Sequence, residues 1–330
     1  IVEMPLPPGH NHDMQSGKGR MLAGLLAVPL AAVLLLGACS INRVAVRLIS
    51  RSLSGGDSTV FTGDNDPQLV ADALPFAMKL YESLLEQDPK NPDLLLTTGT
   101  VFTTYANAFI QTPAGMLPEV EFERQQEMLK RAKAMYLRAR GYLFRAMELR
   151  HPGFAAALQA GHLQEVLGGM KKEDLPFLVW TAASWLGAFS TDPFDMELML
   201  NIAKPVAMLE RALQLDETYA DGMIHEMLIS VYGSLPASLG GSQERARYHF
   251  EKAVEYSHGN SASAYVALAT AVSIPRQDAK EFRSLLEKAL AVNVDANPAG
   301  RLANILSQRK ARWLLDHIAD FFLLEENPEK

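Results

Sequence analysis

Five helix-sized segments of the chain end alike: small or apolar residues recur at intervals of four and then three, and a polar stop follows. They are Ala77, Tyr81, Leu84 before Asp88-Pro89; Ala139, Leu143, Ala146 before His151-Pro152; Pro205, Leu209, Ala212 before Asp216-Glu217; Ala246, Phe250, Ala253 before Glu255 to Asn260; and Phe282, Leu286, Ala289 before Asn293. This spacing puts an apolar stripe on one side of a helix. A unit that short cannot bury its stripe alone and must stack against neighbours, as helix-pair solenoids do. No segment alternates apolar and polar residues long enough to argue for a strand. The pattern predicts an all-α fold, an irregular tetratricopeptide-like helix-pair solenoid of eleven or twelve helices.

Local signals set the boundaries. Asp66-Pro67 reads as a helix start, because aspartate caps well and proline is tolerated at the first helical position. Pro92 opens the next helix, in which Gly99 stands where close helix approach needs a residue without a side chain. Glu119 to Arg150 is charged on most turns, with Met128, Ala132, Met135, Ala139, Leu143 and Ala146 as its apolar stripe. Between Ala146 and Ala212 the interval widens to 66 residues, against 41 and 36 for the next two. The excess holds Leu175 to Thr191, a stretch without a charge that contains Trp180 and Trp185. It is either a central helix buried on all sides, the lining of an apolar ligand channel or subunit interface, or a membrane contact. Asn107, between apolar neighbours, is either a buried hydrogen-bonded group or a ligand contact. With Trp180, Trp185 and Tyr232 it makes up the set of candidate ligand or pore residues. Gly233 to Gly241 reads as a loop, and Gly240, Gly241, Ser242 and Arg245 as a structurally critical turn.

The one cysteine, Cys39, follows Lys18, Arg20 and the uncharged run Met21 to Gly37. A basic start, an apolar run and small residues describe a secretory signal, and Leu36-Gly37-Ala38-Cys39 has the form of a lipobox with Cys39 as the lipidated residue. The expected organisation is an extension and lipoprotein signal over 1–38, a lipid-anchored tether over 39–63 and a helical domain over 64–330. Such a protein lies in the periplasm, anchored by its lipid. Ser40 lacks the aspartate signal for inner-membrane retention, which favours the outer membrane of a Gram-negative cell.

The charge balance, −7 over the whole chain, leaves 29 basic against 36 acidic residues after residue 38. No basic patch suits a phosphate backbone, so nucleic acid is not an expected partner. Catalytic patterns are missing. His225-Glu226 lacks the second histidine of a zinc-protease helix, and Gly240-Gly241 lacks the lysine and hydroxyl of a phosphate loop. Ser238 and Ser242 are not in a nucleophile elbow, and His162 with Glu165 reads as a surface pair rather than a metal site. The chain is expected to be no enzyme, with no cofactor and no metal.

The block Leu239-Gly240-Gly241-Ser242-Gln243-Glu244-Arg245-Ala246-Arg247-Tyr248-His249-Phe250, with Ser261-Ala262-Ser263-Ala264-Tyr265-Val266, resembles the T component of tripartite ATP-independent periplasmic (TRAP) transporters, the TatT lipoproteins. Ser58 to Asp64, Ala73 to Ala77, Tyr105 to Phe109, Arg301 to Asn304, Ala311 to Leu315 and Cys39-Ser40-Ile41-Asn42 extend the resemblance in order along the chain. It implies a tetratricopeptide-like periplasmic lipoprotein that forms a homotrimer, associates with the solute-binding P subunit of the transporter and carries pores with apolar linings. The expected role is a scaffold for the P subunit that holds or passes an apolar or amphipathic organic acid. A structural outer-membrane assembly lipoprotein without a small-molecule ligand is the alternative.

Overall fold

The first helix, α1 (Pro67–Gln87), starts where its cap chemistry puts it. The Asp66 carboxylate accepts hydrogen bonds from the Gln68 and Leu69 backbone amides, and Pro67 occupies the first turn. Asn91 caps α2 (Pro92–Tyr105) in the same way, through the Leu94 amide. The computed structural model describes residues 59–323. The expected signal peptide, the expected lipidation site Cys39 and most of the expected tether lie outside the described residues, as does the end of the expected domain.

After α2 come α3 (Phe122–Arg150), α4 (Phe154–Ala160), α5 (Leu163–Gly168), α6 (Leu175–Thr191) and α7 (Met196–Leu200). They are followed by α8 (Ala203–Leu215), α9 (Tyr219–Ser234), α10 (Gln243–Tyr256), α11 (Ala262–Leu268), α12 (Ala279–Ala291) and α13 (Arg301–Asp316). No strand occurs among the described residues, so the all-α class holds. Among the described residues thirteen α-helices of five or more residues stand where eleven or twelve were expected. The surplus comes from short pieces such as α4, α5 and α7, which periodicity over a long window cannot register. Helices α2 and α11 run on into π-helical turns over Ala106–Gln111 and Ala269–Ser273.

Consecutive helices pack mainly against near neighbours: α1 on α2, α2 on α3, α3 on α6, α6 on α8, α9 on α10 and α11 on α12. The last helix also returns to the first. Val70 and Leu74 of α1 form an apolar cluster with Leu302 of α13. The Leu302 amide donates to the Thr62 carbonyl at 2.9 Å, and Arg301 donates to the Gly63 carbonyl at 2.8 Å. These bonds fix the start of the described chain on its far end.

Helix α6 lies deep. Nine of its residues are buried, including Phe177, Leu178, Thr181 and Trp185, and it packs on α2, α3 and α8. That agrees with the buried central helix read from its lack of charge. No described helix is long and apolar enough to cross a membrane.

Helices α2 and α3 approach closely at Gly99. A Cβ there would sit 2.4 Å from Leu143 Cγ and 2.9 Å from both of its methyl carbons. Leu143 is fully buried and cannot turn away. Gly99→Ala is expected to destabilise the protein by about 1–3 kcal/mol, the usual range for overpacking. A urea melt reads this directly, and an unchanged midpoint would show that the two helices separate without cost.

Candidate functional site

Ionisable groups gather on both sides of α9. Its first turn is unusual, since Ala220 (φ 48°), Asp221 (φ 56°) and Gly222 (φ 90°) are all left-handed. Regular helix follows and sends His225 to one side and Glu226 to the other.

On the α10 side His225 and His249 are both buried, and their Nδ1 atoms are 2.8 Å apart. One ring therefore donates its Nδ1–H and the other accepts. His249 stacks on Tyr232 at 5.4 Å between centroids and 13° between planes. The Tyr232 hydroxyl donates to Glu210 of α8 at 2.7 Å, and Arg245 donates to the same carboxylate oxygen at 2.9 Å. The Arg245 guanidinium also covers the Tyr232 ring, 3.8 Å from its centroid. Burial, then the neighbouring His225 and Arg245, push His249 down to about 4. Burial lowers His225 as well. Although burial opposes it, the bonds from Arg245 and Tyr232 hold Glu210 below the usual carboxylate range.

On the α11 side the Ser261 and Ser263 hydroxyls donate to the two oxygens of Glu226. Burial raises this carboxyl despite the hydroxyls. Asp221 accepts from Asn297 at 2.9 Å beside it.

The loop singled out in the sequence belongs to the first of these clusters. Gly240 is left-handed at φ 93°, the Ser242 amide donates to the Tyr232 carbonyl at 2.8 Å, and the Ser242 hydroxyl accepts from the Arg245 amide at 3.2 Å. The turn thus positions Arg245 over Tyr232. Sequence reading placed Tyr232 in one group and the turn in another; the structure joins them.

The other candidates lie elsewhere. Trp185 is buried on α6 against Phe144 of α3, 5.4 Å between centroids, while Trp180 is half-buried on another face of α6. Trp185 and Tyr232 share none of these ring partners. Asn107 is exposed rather than buried. The π-helical turn takes an extra residue per hydrogen bond and rotates Asn107 off the face on which Thr103 is buried. Its amide still reaches the Tyr136 hydroxyl, which donates to Gln111 at 2.6 Å; Gln111 in turn donates to Ser190 of α6 at 2.8 Å. His162 and Glu165 form an exposed pair at 3.0 Å.

Sequence reasoning missed the histidine pair, Glu226 and Gln111. His225-Glu226 was legible only as an incomplete zinc motif, because their partners lie 24 to 37 residues away. Among the described residues no group of three or more His, Cys, Asp or Glu could hold a metal ion. An open groove of about 270 Å³ runs between α10 and α12, lined by Phe250, Leu268, Leu285 and Lys288, with Arg247 paired to Glu281 at 2.6 and 3.0 Å.

The family model described as "TRAP transporter T-component" matches residues 63–322. An uncharacterized protein of Treponema pallidum (strain Nichols) is 36% identical over 309 residues, covering 89% of this chain and 96% of that protein. The match takes in the whole run from α1 to α13, with both ionisable clusters and the glycine turn between them. On that match the chain belongs to the TRAP transporter T-component family.

Proposed function

We propose that the protein serves a TRAP transporter as a periplasmic, lipid-anchored T component that docks the solute-binding P subunit and holds or passes an apolar or amphipathic organic acid. The observation that carries this reading is the family match across residues 63–322, nearly every described residue. Large apolar side chains left in water support a role in assembly. Phe76, Val120, Phe194 and Leu200 are each more than 70% exposed and are open to contact with a partner. A homotrimer would bury some of this surface and the P subunit another part. Binding, not bond-making, is the mechanism proposed: the carboxylates of the described clusters, Glu210, Glu226 and Glu281, are taken up by ion pairs and hydrogen bonds.

The reading is tested by co-purification. The full-length protein in detergent, mixed with P subunits encoded beside its gene, is expected to retain one of them, and light scattering is expected to give the mass of a trimer. Retention of barrel-assembly proteins and no P subunit at high micromolar concentration would favour the structural alternative and end the transport reading.

A further inference from the structure

Helix α6 buries two polar groups that no protein atom satisfies. Trp185 Nε1 and Thr181 Oγ1 both lack a hydrogen-bond partner, and they stand one turn apart on the same side of the helix. Leaving such a group unpaired in the interior costs about 1–3 kcal/mol, so an orphan indole N–H asks what it is kept for.

Arg140 of α3 lies beside the same indole. Its guanidinium carbon is 5.1 Å from the Trp185 ring centroid and 5.7 Å from that of Phe144, and its side chain is only 17% exposed. Its ion-pair partner is Glu197 of α7, at 3.4 Å, a side chain that is 73% exposed. Two other arginines are better matched. Arg247 grips Glu281 with two bonds, and Arg150 binds Asp174 at 2.7 Å. Arg140 is thus a largely desolvated cation on two aromatic rings, balanced by a solvated carboxylate held through one long bond. A solvated pair of this kind contributes little, whereas a carboxylate brought out of water onto the same guanidinium gains a charge-assisted bond.

The surroundings fit the rest of an amphipathic molecule. Phe144 continues the aromatic wall to Phe154, 6.0 Å between centroids. On the solvent side Met196 and Leu200 of α7 flank Glu197 and are exposed. Helix α7 itself is held by buried Leu198 and by Lys133, which binds Asp192 at 2.7 Å and Asp195 at 2.6 Å.

We propose that Arg140 and the Trp185 indole N–H bind the carboxylate of an amphipathic organic acid, with Thr181 as a deeper polar contact and Glu197 filling the anion's place when no ligand is bound. The acid displaces Glu197, and its apolar body lies along Phe144 and under the apolar side chains of α7. This assignment rests on the reading of the protein as a solute-handling component, and gives that reading a ligand class and an address. It explains why a helix without a single charge carries an unpaired donor next to an arginine whose counter-ion is largely exposed.

Calorimetric titration of the full-length protein with decanoate and with 1-decanol tests it. Decanoate is expected to bind one per chain, about tenfold or more tighter than the alcohol, the difference a charge-assisted bond supplies. Trp185→Phe keeps the ring and removes the N–H, and is expected to cut decanoate affinity about tenfold. Arg140→Gln is expected to erase the preference for acid over alcohol. Glu197→Gln gives the readout a structural role would not: with the competing charge gone, decanoate binds several-fold tighter. Because Glu197 is exposed, that variant folds. Equal binding of acid and alcohol, no binding at the solubility limit of decanoate, or an unchanged affinity in Glu197→Gln would overturn the proposal. So would a high-resolution structure grown with decanoate in which a water alone bridges Trp185 and Thr181. If decanoate fails while the P subunit is still retained, this site falls and the scaffold reading stands; if decanoate binds and no P subunit does, the reverse holds.

Discussion

Gly241→Ala is expected to lower the stability of the protein by about 3 kcal/mol or more, the upper end of overpacking effects. A Cβ at this position would lie 1.7 Å from the Leu235 carbonyl oxygen and 2.5 Å from its carbon. The obstacle is backbone, so no rotamer change relieves it. The loop cannot shift freely either, because Gly241 donates to Pro236 at 3.1 Å and Ser242 to Tyr232 at 2.8 Å. Moving it would cost the Ser242 cap of α10, worth about 1 kcal/mol, and would carry Arg245 off Tyr232 and Glu210. Gly240 next door is a useful contrast. Nothing lies within 4 Å of its would-be Cβ, and only its left-handed φ opposes a side chain, which costs about 1–2 kcal/mol. Urea midpoints should therefore fall much further for Gly241→Ala than for Gly240→Ala. Equal shifts would show that the turn yields and that the Leu235 carbonyl is no barrier.

The histidine pair makes stability depend on pH between neutrality and about pH 4. In the unfolded chain a histidine titrates near 6.5, while His249 in the fold is held down to about 4. Between these values the unfolded chain binds more protons, so stability rises with pH there. It is complete above about pH 6.5 and is lost as the pH falls toward 4. His225 acts in the same direction. The shift at His249 alone implies a loss of about 2 kcal/mol from pH 7 to pH 5. The charged groups around the pair are Glu210 and Arg245 near His249, and Glu217, Lys252 and Glu255 near His225. Glu226 opposes the trend, because a raised carboxyl contributes stability that is lost as pH rises through its folded value. The lowered carboxylates Glu82, Asp174, Glu210 and Glu281 weaken the fold only below the unfolded carboxylate range. His249→Gln is therefore expected to flatten the stability profile between pH 7 and pH 5. A wild-type protein equally stable at both would show that the pair accepts a proton inside the fold at little cost.

Much of the fold could be read from short stretches. Asp66-Pro67, Asn91-Pro92 and Ser242 carry their capping chemistry within three residues, and the stripe Ala132, Ala139, Leu143, Ala146 repeats within two turns. Gly99 announced a close helix contact. The π-helical turn at Ala106 was not legible, because it differs from an α-turn only in the register of its hydrogen bonds, and it carried Asn107 to the surface. From Ser242 to Leu315 the helices form two pairs, α10 with α11 and α12 with α13. Of the candidate site, Tyr232, Trp185 and the Gly240-Gly241 turn could be picked out as unusual residues. What each touches could not.

By itself the sequence determined that this chain is a run of helices with one-sided apolar stripes, where most of them begin and end, and to which family it is similar. These are local properties, set by capping groups and side-chain periods within a few residues. Only the tertiary structure decided which polar groups share a buried space: His225 with His249, Glu226 with Ser261 and Ser263, Arg140 with Trp185, and the Thr62 carbonyl with the start of α13. Those meetings depend on how rigid helices stack over tens to hundreds of residues, and an error of one turn in any of them would bring different side chains face to face.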